Sequence, residues 1–144
     1  MLVRTILAQK GTEVDTVAPT ATVASAVDAL ARLRIGALVV SPDGSVIEGI
    51  LSERDVVRGL ADHGVGVLDQ PVSSLMTSEV TTCVSDDTAD QLMGLMTDQR
   101  IRHLPVVEAG LLCGLISIGD VVKARVGELQ VETQTLHDYI HTGR

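Results

Sequence analysis

Hydrophobic positions along this chain fall into short runs whose period switches repeatedly between strand-like and helix-like. Val14 to Val17 is a brief extended run halted by Pro19. Thr22 then precedes Val23, Ala26, Val27, Leu30 and Leu33, a one-faced helical pattern with a hydroxyl at the cap position, and this predicts a helix over 23–34. Ala37 to Val40 is wholly apolar, too short for a helix and rich in valine, which suits a buried strand. Pro42-Asp43-Gly44 has the chemistry of a turn, and Val46 to Leu51 predicts the next strand. Ser52 ends that strand and a helix is predicted over 53–61. The order then returns. Val80 to Val84 predicts a strand, and Thr88 with Gln91 forms a capping box for a helix running past Met96. Leu104 to Val107 and Leu111 to Ile116 predict two strands joined by Glu108-Ala109-Gly110, with a helix after Ser117. Asp62 to Pro71 reads as a loop, and Val72 to Met76 leads into the second unit. Val126 to Ile140, apolar at Val126, Leu129, Leu136, Tyr139 and Ile140, predicts an extension of the final helix, weakened by Gly127.

The recurrence extends to the residues themselves. Gly49-Ile50-Leu51-Ser52-Glu53-Arg54-Asp55-Val56-Val57 returns 65 positions later as Gly114-Leu115-Ile116-Ser117-Ile118-Gly119-Asp120-Val121-Val122. Arg34-Ile35-Gly36-Ala37-Leu38-Val39-Val40 returns 66 positions later as Arg100-Ile101-Arg102-His103-Leu104-Pro105-Val106. Val3, Ile6 and Leu7 are echoed by Val72, Leu75 and Met76. The chain is a tandem duplication with a tail. Residues 1–66 form repeat one with its N-terminal segment and linker, 67–125 form repeat two, and 126–144 form a C-terminal helical tail. The fold expected is α/β, two β-α-β-β-α units related by a pseudo-two-fold axis, with helices on one side of each small sheet. Two similar units packed in this way create two related clefts. Units of this size bury too little surface alone, so the expectation is one shared core.

Composition narrows the choice of partner. The chain has 144 residues, 45% of them hydrophobic, with neither Phe nor Trp and a single tyrosine, Tyr139. The core must therefore be aliphatic. A net charge of −8 argues against nucleic acid or an anionic membrane as the main partner, while leaving room for one phosphate held by local donors. Met1 to Gly11 lacks the features of a signal peptide, and no apolar run approaches the 18 residues of a membrane span. Cys83 and Cys113 lie in or beside apolar runs without metal-ligand spacing. These features give a reducing, cytoplasmic setting as the expectation.

The chemistry concentrates where each unit closes: Gly, two aliphatics, Ser, then an Asp three residues on that opens a helix. As a local device this is a capping box, Ser52 with Asp55 and Ser117 with Asp120, with the acid favoured by the helix dipole. The same residues also make a candidate nucleoside site. A carboxylate in a cleft accepts both hydroxyls of a ribose, and a helix N-terminus suits an anion. One serine can do both.

The repeated Gly-aliphatic-aliphatic-Ser-x-x-Asp, with Ile101-Arg102-His103-Leu104-Pro105-Val106-Val107 before its second copy, resembles a pair of CBS domains, the Bateman module, over roughly residues 1–125. The resemblance implies a disc with two clefts binding adenosine-containing ligands: AMP first, then ADP, ATP or NAD(H), with S-adenosylmethionine as a further member. It implies that each cleft takes its Asp from one repeat and its adenine-reading segment from the other. One cleft would then use Ser52, Arg54 and Asp55 with Thr82, Cys83, Arg102 and His103. The other would use Ser117 and Asp120 with Thr16, Val17, Gly36 and Ala37. Phosphate should prefer the first, because Gly119 stands where Arg54 does and Gly36-Ala37 where Arg102-His103 does. The ordinary roles of Arg102 and His103 would be a solvated cation and a packed side chain.

His137 and His141 have helical metal-ligand spacing but no third ligand nearby, and no metal site is expected. No catalytic constellation is visible. The expected function is a non-catalytic sensor of energy or redox state, a homodimer acting on an effector protein in trans. The alternative is an assembly module with vestigial clefts.

Overall fold

The computed structural model describes residues 1–142. Its elements are α1 (Val3–Lys10), β1 (Thr16–Val17), α2 (Val23–Leu33), β2 (Ala37–Val40), β3 (Gly49–Ser52), α3 (Glu53–His63), α4 (Ala89–Gln99), β4 (His103–Glu108), β5 (Leu111–Ser117) and α5 (Ile118–Thr142), with 3₁₀ turns at Val65–Asp69 and Val72–Ser74. The fold is the α/β duplication expected, with a long C-terminal helix. β1 pairs parallel to β2 and β2 antiparallel to β3, in the register Ala37 opposite Ser52 and Val40 opposite Gly49. β4 and β5 repeat the antiparallel pair, with His103 opposite Ser117 and a bulge at Val106/Val107.

Helices α2, α3, α4 and α5 begin where a side chain caps them, whereas α1 has no side-chain cap. Thr22 Oγ1 accepts the Ser25 N–H at 3.1 Å. Thr88 and Gln91 close a reciprocal capping box, as do Ser52 and Asp55. α2 and α4 both end on an arginine in the left-handed conformation, Arg34 and Arg100, each at φ 55°.

Three expectations about the elements need correction. The strand over 80–84 contracts to a single parallel bridge from Cys83 to Val106. Cys83 N–H donates to Pro105 O and Cys83 O accepts the Val107 N–H, but Asp87 folds back to accept the Val84 N–H and ends the extended run. The strand over 46–51 starts only at Gly49, because Asp43 Oδ1 accepts from Ser45 and Val46 N–H and holds Val46 in the turn. The leading segment, for which no element was expected, is the helix α1.

The expected single core is two clusters. One comprises Val23, Ala26, Leu30, Leu38, Val40, Leu51, Val56 and Val72. The other is built on Leu92, Met96, Leu104, Val106, Ile116 and Val121, and includes Val3, Ile6 and Leu7 of α1. Each half thus takes its closing segment from the sequence of the other. Leu2 bridges to Thr88, and Thr22 bridges to Pro71. Glycine makes this docking possible at equivalent places: a Cβ on Gly49 would lie 2.5 Å from Met76 Sδ, and one on Gly114 would lie 2.7 Å from Leu7 Cδ2.

Candidate functional site

The motif serine and aspartate sit at a strand end turning into a helix in both halves. In the first, Ser52 N–H and Oγ–H both donate to Asp55 Oδ2, at 2.9 and 3.1 Å, and Ser52 Oγ accepts the Asp55 N–H at 3.3 Å. The second repeats this: Ser117 N–H and Oγ–H donate to Asp120 Oδ2 at 2.9 and 3.0 Å. The capping role is therefore real in both, and it fixes each carboxylate at the mouth of a helix.

Around Asp55 lies a cleft of about 530 Å³, within the ~300–1,000 Å³ usual for small-molecule sites. Its walls come from both repeats. Ser52, Arg54, Asp55 and Arg58 stand on the α3 side, and Arg100, Arg102 and His103 on the β4 side. Four arginines face three acids there, Glu53, Asp55 and Glu79, in a chain whose overall charge is −8. The cleft is thus a local positive exception in an acidic protein. Arg54 Nη1 donates to Arg100 O at 3.5 Å, drawing the two walls together. Thr77 Oγ1–H donates to Asp55 Oδ1 at 3.3 Å, and no ion pair reaches Asp55 among the described residues.

His103 is half-buried between the halves. Burial lowers its pKa, with Lys10 and Arg102 assisting, while Glu53 and Asp120 pull the other way. Gly36 gives it room: a Cβ there would lie 2.8 Å from Glu53 Oε1 and 3.1 Å from His103 Cε1.

Around Asp120 the arrangement differs. Lys10 Nζ donates to Asp120 Oδ2 at 2.6 Å and to Leu115 O at 2.8 Å. Burial alone would raise the Asp120 carboxyl, but hydrogen bonds from Lys10 and Ser117, with the charge of Lys10, hold it below the usual carboxylate range.

The structure thus brings Ser52, Arg54, Asp55, Arg102 and His103 to one cleft. Gly36, expected in the second cleft, lines the first. Cys83 is a core residue, its thiol pushed up to about 12 by burial, and Thr82 beside it is exposed; Val80 and Thr81 line the cleft in their stead. Ala37 is buried, while Thr16 and Val17 form β1. Sequence reasoning missed Arg58, Arg100, Thr77 and Lys10. Arg58 was accessible from its spacing, four residues beyond Arg54 on one helix face. Lys10 was not, because α1 itself was not expected. His137 and His141 stack edge-to-face near the end of α5, and no cluster of three or more metal-ligand residues occurs among the described residues.

Comparison with known proteins accounts for this architecture. The CBS domain model matches residues 7–62 and again 72–127, and the chain belongs to the CBS domain family as a tandem pair. It is 39% identical over 126 residues to the CBS domain-containing protein CBSX3, mitochondrial, of Arabidopsis thaliana; the match covers 85% of this chain and 61% of that protein. A CBS-domain containing protein from Agrobacterium tumefaciens superposes with a TM-score of 0.84 at 46% identity, over 87% of this chain and 99% of the other. The CBS domain pair of protein MJ0100, solved with 5′-methylthioadenosine and S-adenosyl-L-methionine, shares the fold at TM-score 0.78 and 22% identity, over 89% of this chain and 98% of that one.

Proposed function

We propose that this CBS pair is a non-catalytic regulatory module that binds a phosphorylated adenosine nucleotide in the Asp55 cleft. AMP is the first candidate, with ADP, ATP and NAD(H) next. The observation that carries the proposal is the pairing of an uncompensated carboxylate with four arginines across one cleft. Asp55 supplies an acceptor for ribose hydroxyls, and Arg54, Arg58, Arg100 and Arg102 supply donors for phosphate. The same charge disfavours the sulfonium of S-adenosylmethionine, although MJ0100 binds that ligand. Binding a mobile anion between walls from both repeats draws them together, and this changes the surface offered to an effector protein. We further propose a homodimer, joined along α5, whose apolar positions stand exposed among the described residues. The two unpaired cysteines suit the reducing cytoplasm, and among the described residues no helix is long and apolar enough to cross a membrane.

Native mass spectrometry with AMP, ATP, NADH and S-adenosylmethionine added in turn tests the proposal. Uptake of the phosphorylated nucleotides, with Arg102→Ala or Arg54→Ala each weakening AMP about 10- to 100-fold, is the expected result; that is the size of one charge-assisted hydrogen bond. A protein that takes up none of the four is an assembly module instead.

A further inference from the structure

The two motif aspartates also meet different partners. Ile50 in the first half corresponds to Leu115 in the second. The Ile50 carbonyl accepts the Thr77 N–H at 2.9 Å, and the Thr77 hydroxyl reaches Asp55. In the second half one group meets both places, but it pairs with Asp120 Oδ2, the oxygen that Ser117 also holds, rather than with the counterpart of the Asp55 Oδ1 that Thr77 reaches. Lys10 Nζ takes the Leu115 carbonyl and the Asp120 carboxylate together.

The substitution replaces a neutral hydroxyl by a cation. Thr77 Oγ1 lies 3.3 Å from Asp55, long for a hydroxyl–carboxylate bond, and a rotation of one torsion frees the acceptor. Lys10 lies at 2.6 Å, is charged, and is held at the end of a helix whose Val3, Ile6 and Leu7 are buried in the core. A ribose hydroxyl offers Asp120 a hydrogen bond to its charge, but without the opposite charge that Lys10 brings. The aliphatic stem of Lys10 must also move aside. Contacts at either side fix the equivalence: Leu7 against Gly114 mirrors Met76 against Gly49, and this alignment sets Glu79 in the first cleft where Lys10 stands in the second. The position is therefore inverted in charge between the halves.

We propose that Lys10 is the specificity-determining residue between the two motifs: it holds the Asp120 carboxylate in an ion pair, so that the chain binds one nucleotide, at Asp55, and none at Asp120. This rests on the nucleotide reading given above. It also assigns the second motif a structural task, anchoring α1 to β5 and α5.

Calorimetric titration and native mass spectrometry of the full chain, with AMP and with adenosine as probes, decide the matter. The wild type is expected to bind one AMP per chain, and Asp55→Asn to weaken it at least tenfold. Lys10→Met is expected to bind two molecules of adenosine per chain, the second lost again when Asp120→Asn is added. Lys10→Arg, which keeps the cation and the helix, is expected to remain at one. Two ligands on the wild type, or one on Lys10→Met with both probes, overturns the role of Lys10 and leaves the nucleotide reading intact. No uptake by either protein overturns that reading and the role of Lys10 with it.

Discussion

His103 shows how much one position can join. It opens β4 opposite Ser117, lines the Asp55 cleft, and is surrounded by Glu53 of α3, Lys10 of α1, Asp120 of α5 and its neighbour Arg102. Burial holds its pKa below the ordinary 6.5, so the folded state prefers the neutral ring. The sign follows from linkage. The unfolded chain binds the proton more readily, so the stabilising contribution is complete above pH 6.5 and is lost as the pH falls through the lowered folded value. Urea denaturation from pH 7.5 downward is expected to show stability falling below pH 6.5, and His103→Gln is expected to abolish that first decline. An unchanged decline in the variant would place the titrating group elsewhere. A second loss follows at lower pH, when Asp120 protonates below the usual carboxylate range and releases Lys10.

At the scale of the element, α5 is the most exposed part of the molecule. Its core contacts end with Val121 and Ala124, and every residue from Leu129 to Thr142 is exposed. Arg125, paired with Asp90 and Glu128, marks where the helix leaves α4. A helix so exposed gains little from its own chain and depends on packing for its stability. Val122, Val126, Leu129, Thr133, Leu136 and Ile140 alternate steps of four and three, the seam of a two-stranded coiled coil. The apolar members of the seam are 45–67% exposed. Leu129→Glu combined with Leu136→Glu is expected to convert the dimer to a monomer in light scattering after size-exclusion chromatography. AMP binding should survive, because the Asp55 cleft lies within one chain. A wild type that is already monomeric would refute the seam as an interface.

At the scale of the whole molecule, the halves depend on each other through exchanged segments. α1 lies in the first repeat's sequence yet completes the second cluster, and Val72 lies in the second repeat's yet completes the first. The exchange is tied at its edges by Arg4 to Asp86 and by the N-terminus to Glu128. Burying Val3, Ile6 and Leu7 contributes about 4.5–9 kcal/mol, at ~1.5–3 kcal/mol for each side chain, comparable with the ~5–15 kcal/mol total stability of a small domain. Removal of residues 1–10 is therefore expected to unfold the chain near room temperature in circular dichroism and to abolish AMP binding, although no residue of the Asp55 cleft is lost. Retention of a cooperative transition with a loss under 2 kcal/mol would show the halves to be independent. The wild type is expected to unfold in one transition.

The sequence by itself determined the elements and their repetition. Thr22, Thr88, Ser52 and Ser117 start helices because capping is a bond between near neighbours, legible from spacing. The apolar runs at 37–40 and 104–107 became strands because a short valine-rich run has few other ways to be buried. Asp55 was legible because the duplication repeats it as Asp120, whereas Arg54, Arg102 and His103 stand where the other copy has Gly119, Gly36 and Ala37 and were marked out by the family resemblance. Tertiary structure alone decided what meets across the halves. Cys83 went to the core, and Gly36 opened onto the first cleft. Lys10 travelled 110 positions to reach Asp120. Nothing local encodes that contact: it exists because the apolar face of α1 is completed only in the other repeat's core, and burial, being non-directional, carries no address in the sequence.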